Sequence, residues 1–195
     1  LGQTDTGGQV VYVLELAKAL ARVGYKTDIY IRWFDPERRQ TDPVPGYEND
    51  VRVIRIKAGP WEFIPKEFIY EHLDELADNM IQYIAEQKLD YDLFHGHYVD
   101  AGIVCVDVAK RLKKASYFTP HSLGAWKREQ MGGDPEEMEE NFNFVHRIAE
   151  ESRIMKAVNG TTLTSMVQRE RVEQLYDMDA SQMAIIPPGV DVHRY

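Results

Sequence analysis

Cysteine is almost absent: Cys105 is the only one in 195 residues. No internal disulfide and no thiol-rich metal site can form, which fits a reducing compartment, so a cytoplasmic location is expected. Positive charge is also scarce. Lys and Arg number 23 against 32 Asp and Glu, a formal net charge of −9, which disfavours nucleic acid and anionic membranes as partners. No apolar run approaches the ~20 residues of a membrane span, and no charged-then-apolar leader opens the chain. Also missing are the G-x-S-x-G elbow of a serine hydrolase and the H-E-x-x-H of a zinc peptidase. What remains is an ordinary globular composition, 44% hydrophobic and 28% charged, able to bury the core of one α/β domain or a little more.

The chain alternates two periods. Val10, Val13, Leu14, Ala17 and Leu20 recur at helical spacing, and Gly24 offers a stop. The stretches "KTDIYIRW" and "VRVIRIKA" read as strands, separated by the polar loop "DPERRQTDPVPGYEND", which is long enough to be mobile or functional. A second helix is expected from Pro65, which suits a first turn, through Ile69, Leu73, Leu76, Ala77, Met80 and Ile84. "DYDLFHGH" is then a strand, "AGIVCVDVAKRLKK" a helix and "ASYFTPH" a strand. One long helix follows over "EEMEENFNFVHRIAEESRIMKAV", before strand, helix and strand at "GTTLTS", "VQRERVEQLY" and "MAIIPPG". This alternation predicts a Rossmann-like, doubly wound α/β domain with a parallel sheet, whose ligands bind at the carboxyl edge.

Three loops expected on that edge are rich in polar residues: "DTGGQ", "HGHYVDAG" and "TPHSLGAWKREQ". Two glycines directly before a helix allow close approach to unpaired N–H groups at the positive end of the dipole, a small anion or sugar pocket. The plain alternative is a flexible turn capped by Thr4, Asp5 or Thr6. His97 and Tyr98 offer an imidazole and a phenol to a sugar, or else a buried histidine satisfied by backbone. His121 and Ser122 end a strand and open a loop, where side chains address ligands. Lys66, Lys127 and Arg147 lie in different elements and together would make a cationic pocket for a phosphoryl group, although each alone reads as a surface charge. His95, His97 and Asp100 diverge in a strand-to-helix turn, so no metal site is expected.

The segments "DTGGQVVYVLELAKAL", "FIPKEF", "HGHYVDAG", "TPHSLGAWKREQ", "FNFVHRIAEE" and "IIPPGVDVHRY" extend over the whole chain. Together they resemble the retaining glycosyltransferases of sucrose-phosphate synthase and mannosylfructose-phosphate synthase type. This is family 4, with the two-domain GT-B fold. The resemblance implies that residues 1–195 are the N-terminal, acceptor-binding domain, cut inside its first βα unit, and that a donor-binding domain follows. It implies no cofactor and no metal, with a nucleotide sugar as cosubstrate and a sugar phosphate as acceptor. By position, Gly7, Gly8 and Gln9 look like the family's glycine-rich loop, and Lys66, Lys127 and Arg147 like its phosphate-holding cluster. Tyr98 and Ser122 would support that cluster, His97 would line the acceptor site, and His121 resembles the histidine that orients the donor sugar.

Sucrose synthases resemble the chain less closely at "GHYVDAG" and "PHSLG", whereas the mannosylfructose-phosphate type is at least as near through "HSLGAWKREQM" and "EENFNF". Glucosyl and mannosyl transfer stay open, because the donor domain selects between them. A nicotinamide oxidoreductase is disfavoured because "DTGGQ" is not G-x-G-x-x-G, although Asp28 and Asp35 lie near the next strand. A non-catalytic sugar-phosphate-binding module is the other alternative.

Overall fold

A computed structural model describes residues 8–189. The chain divides into two compact units, Leu1–Asp90 and Tyr91–Tyr195, each considered by itself.

In the first unit, helix α1 (Gly8–Arg22) precedes strands β1 (Thr27–Trp33), β2 (Thr41–Pro43) and β3 (Val51–Lys57), and helix α2 (Leu73–Glu86) ends it. The sheet order is β1-β3-β2. β1 and β3 are parallel from Thr27 opposite Val51 to Trp33 opposite Lys57. Ala17 of α1 packs with Val44 and Val51, joined by Leu14, Ile29 and Val53. The expected apolar stripe of α2 is present, with Leu73, Ala77, Met80 and Ile84 buried.

Two expectations fail here. The polar loop contains β2, which pairs antiparallel with β3; as an edge strand it tolerates Pro43, whose missing N–H needs no partner. Pro65 does not open α2. A turn closed by the Phe68 N–H on the Pro65 carbonyl comes first, then a 3-10 turn at Tyr70–His72, and α2 starts only at Leu73.

The second unit is a four-stranded parallel sheet, order β4-β5-β6-β7, of β4 (Leu93–His97), β5 (Ala115–Thr119), β6 (Gly160–Leu163) and β7 (Ala184–Ile185). Its helices are α3 (Val99–Leu112), α4 (Gly124–Met131), α5 (Pro135–Phe142), α6 (Phe144–Ala157) and α7 (Met166–Tyr176). Two glycines bring α3 down onto the sheet. A Cβ on Gly96 would stand 2.8 Å from the Gly102 Cα, and one on Gly102 would stand 2.7 Å from the Phe118 ring and 2.9 Å from Ile154. Phe118, Val108, Ile154 and Leu163 are fully buried there.

The single long helix expected before β6 is two helices. Asn143, at φ 49°, takes the left-handed conformation that Asn tolerates, and the Glu139 carboxylate accepts the Val145 N–H at 3.0 Å. The segment read as a loop after β5 contains α4. The helix begins at Gly124, whose N–H donates to both Glu151 oxygens, at 3.2 and 2.9 Å.

Candidate functional site

In parallel strands joined by helices, the residues after each strand meet at the carboxyl edge. β4 delivers Tyr98 there and β5 delivers His121, and both have positive φ, 76° and 58°. Neither is glycine, so each is held at a cost of ~1–3 kcal/mol that the surrounding structure must offset. The Tyr98 N–H donates to the Thr119 carbonyl at 2.9 Å, which ties the two strand ends together.

Three imidazoles line up at this edge. His95 and His97 alternate onto one face of β4, with ring centroids 4.2 Å apart. The His121 ring lies 5.2 Å from that of His97, and His97 Nδ1 is 3.0 Å from His121 Nε2. His95 Nε2 meets the Thr119 hydroxyl at 2.8 Å, and Thr119 in turn shares a hydrogen bond with the Thr162 hydroxyl of β6. Burial lowers His95 and His121 to about 4, with His121 adding to the effect at His95. His97 is lowered further by burial and by its two neighbours. At neutral pH the row is uncharged, made of groups that hydrogen-bond rather than carry net protons.

A charged network lies beside the same loops. Arg147 of α6 is 4% exposed and Glu151, one turn on, is fully buried. Arg147 Nε donates to Glu151 Oε1 at 2.8 Å, and Nη2 donates to the Ser122 carbonyl at 2.9 Å and to its hydroxyl at 3.2 Å. The guanidinium carbon sits 4.7 Å from the centre of the Tyr98 ring. Its Nη1 makes no hydrogen bond among the described residues. Glu151 also accepts from the Tyr176 hydroxyl of α7, and that oxygen accepts the Ala125 N–H at 3.2 Å. Burial alone would lower the Arg147 pKa, but Glu151, Tyr98 and Tyr176 outweigh it and hold the group above its usual range. Burial and then Glu151 push the Tyr176 phenol well above its usual range. Gly124 is required beside this pair, since a Cβ there would come within 2.9 Å of Arg147 Nε.

Of the residues expected from sequence, His97, Tyr98, His121, Ser122 and Arg147 are linked by these contacts. Lys127 stands one turn into α4 with Nζ 5.2 Å from the centre of the Phe142 ring. Gly8 and Gln9 open α1, and Lys66 sits in the turn before α2, 3.3 Å from Glu67. These three belong to the first unit, so their assignment rests on the resemblance alone; Gly7 lies outside the described residues. The sequence reading passed over Glu151, Tyr176, Thr119 and Thr162. Only the Arg147 and Glu151 spacing of four, one face of a helix, was a local signal. Among the described residues no His, Cys, Asp and Glu group could hold a metal ion, and no helix is long and apolar enough to cross a membrane.

The model of Glycosyltransferase Family 4 matches residues 6–194. The chain belongs to glycosyltransferase family 4. Among curated relatives of this family-4 chain is the mannosylfructose-phosphate synthase of Agrobacterium fabrum, 40% identical over 199 residues, covering 100% of this chain and 43% of that protein. The probable sucrose-phosphate synthase of Thermosipho melanesiensis is 32% identical, covering 97% and 47%. The solved sucrose-phosphate synthase of Thermosynechococcus elongatus superposes with a TM-score of 0.79 at 26% identity, covering 96% of this chain and 44% of that one. The chain thus spans less than half the length of these relatives, and its fold is that of the N-terminal half of a GT-B glycosyltransferase.

Proposed function

We propose that this chain is the acceptor-binding domain of a retaining hexosyltransferase that moves a hexosyl group from a nucleotide sugar to a sugar phosphate, with fructose 6-phosphate as the acceptor. The observation that carries this reading is the buried Arg147 beside the loops after β4 and β5, with its Nη1 uncommitted to any described residue. The named products of the two curated relatives, mannosylfructose phosphate and sucrose phosphate, support the choice of acceptor.

Charge balance explains why one arginine is insufficient. Glu151 already offsets the Arg147 charge at 2.8 Å, whereas a phosphate ester brings about −1.5 to −2 at pH 7. A second cation is required, and Lys127 supplies it from α4, the helix whose first N–H is held by the same Glu151. Ser122 and Tyr98 complete the pocket, His97 lines it, and Gly7, Gly8, Gln9 and Lys66 are assigned to acceptor and diphosphate contacts from the resemblance. His121 orients the donor sugar by hydrogen bonding. The clamped acceptor hydroxyl attacks on the face from which the nucleotide diphosphate leaves, so the anomeric configuration is retained. Fixing the hydroxyl in this way contributes several kcal/mol to the lowering of the barrier, of the ~7–11 that orientation can supply.

Calorimetric titration of the intact protein with fructose 6-phosphate and with fructose, repeated on Lys127→Ala, tests the reading. Binding of the phosphate ester alone, weakened roughly 10- to 100-fold by the substitution, is expected. Equal binding of both sugars would point to a sucrose-synthase-like acceptor, and no binding of either would remove the phosphate clamp.

A further inference from the structure

We propose that His97 is a positioning residue for His121: its ring selects the tautomer and fixes the ring plane of the histidine assigned above to the reacting centre. The inference deepens that assignment and rests on it. Where His97 Nδ1 faces His121 Nε2 at 3.0 Å, one nitrogen must carry the hydrogen and the other must not. Two bare lone pairs or two N–H groups would repel, so the protonation of one ring dictates that of the other.

The arrangement is built to hold that bond. His121 sits in the left-handed region at φ 58°, a conformation a histidine keeps only when its surroundings fix it. His97 is fixed in turn, stacked on His95 at 4.2 Å with the rings 32° from parallel. His95 is anchored at 2.8 Å to Thr119, which bonds Thr162 on the next strand. Three adjacent strands thus hold His97 from behind, whereas its Nδ1 is directed at His121. Burial keeps the imidazoles neutral near pH 7, the state in which a tautomer choice exists. His97 therefore acts on transfer through His121, beyond its place in the wall of the acceptor pocket.

The test is two-bond proton–nitrogen NMR of the intact protein carrying nitrogen-labelled histidine, with transfer kinetics alongside. In wild type, His121 shows one neutral tautomer. In His97→Phe the signals become those of exchanging tautomers, and in His97→Asn, whose amide nitrogen sits near the lost Nδ1, one tautomer returns. Transfer follows: kcat falls at least tenfold in His97→Phe, by a larger factor than KM for the sugar phosphate rises, and His97→Asn recovers part of the lost kcat. Such a split separates an orienting role from uniform binding, and loss of tautomer control costs a serine protease ~10⁴ in rate. An unchanged His121 spectrum in His97→Phe, or a raised KM at constant kcat, would overturn the inference. The spectra need no turnover, so a wild type that transfers nothing would end the transferase reading without altering what they decide about His97.

Discussion

Two arginine–carboxylate pairs, one in each unit, show how differently similar chemistry is used. Arg52 and Asp28 join β3 to β1 with bonds of 2.8 and 2.6 Å, and the arginine side chain is 39% exposed. Arg147 and Glu151 share one bond of 2.8 Å with side chains 5% and 0% exposed. In the first pair Arg52 can return to water when its partner is removed, and Asp28, with its side chain 9% exposed, keeps some access to it. In the second, removal strands a charge that water scarcely reaches, so the lone pairs of Glu151 need donors. Glu151 has them in Gly124 and Tyr176. A buried pair of this kind adds little net stability over apolar packing, but losing half of it is expensive; what it gains is a guanidinium held in one place. The part-exposed pair serves the sheet, and the buried pair serves the carboxyl edge at which the acceptor is proposed to bind.

The largest expected effect follows directly. Glu151→Ala should destabilise the second unit by about 3–5 kcal/mol, read as faster amide hydrogen exchange in peptides from α4, α6 and β5 of the intact protein. A loss of under about 1 kcal/mol would mean that the burial of this pair is energetically idle. An intermediate effect separates the units by pH. Because the folded pKa of His95 is lowered to about 4 from 6.5, the unfolded chain binds its proton first. Stability is then flat above pH 6.5 and declines as pH falls from about 6.5 to about 4, with His95 alone giving a slope of up to about 1.4 kcal/mol per pH unit. Exchange in β4 and β5 should accelerate across that window, and a flat profile down to pH 5 would contradict the neutral histidine row. The smallest effect belongs to the part-exposed pair. Arg52→Ala should change stability by about 0–1 kcal/mol, so a loss comparable to that of Glu151→Ala would erase the contrast.

The same contrast marks what the sequence made legible. Periodicity alone located α1, α2 and α3, because Leu73, Ala77, Met80 and Ile84 repeat on one helical face. The same reading put His97 at the end of β4 and His121 where β5 gives way to a loop. It missed α4, where only Gly124 and Ala125 are buried and the helix start is held by a carboxylate 27 residues away. It ran α5 and α6 together because the break depends on the left-handed tolerance of Asn143 and on capping by Glu139. It missed β2, whose three residues are defined by pairing with β3 and not by their own composition. Site residues followed the same rule. Loop positions could be read, but Glu151 and Tyr176 could not be paired, since their contact spans 25 residues and three helices must pack before it exists.

The most direct measurement of the central claim is deuterium uptake by the intact protein with and without saturating fructose 6-phosphate. If the edge built by β4, β5 and the start of α6 holds the acceptor phosphate, protection rises in peptides covering residues 119–128 and 144–151, and Lys127→Ala abolishes it at the same ligand concentration. If the sugar phosphate binds and protects nothing between residues 91 and 189, the site lies elsewhere, and the buried Arg147 pair is a structural tie alone.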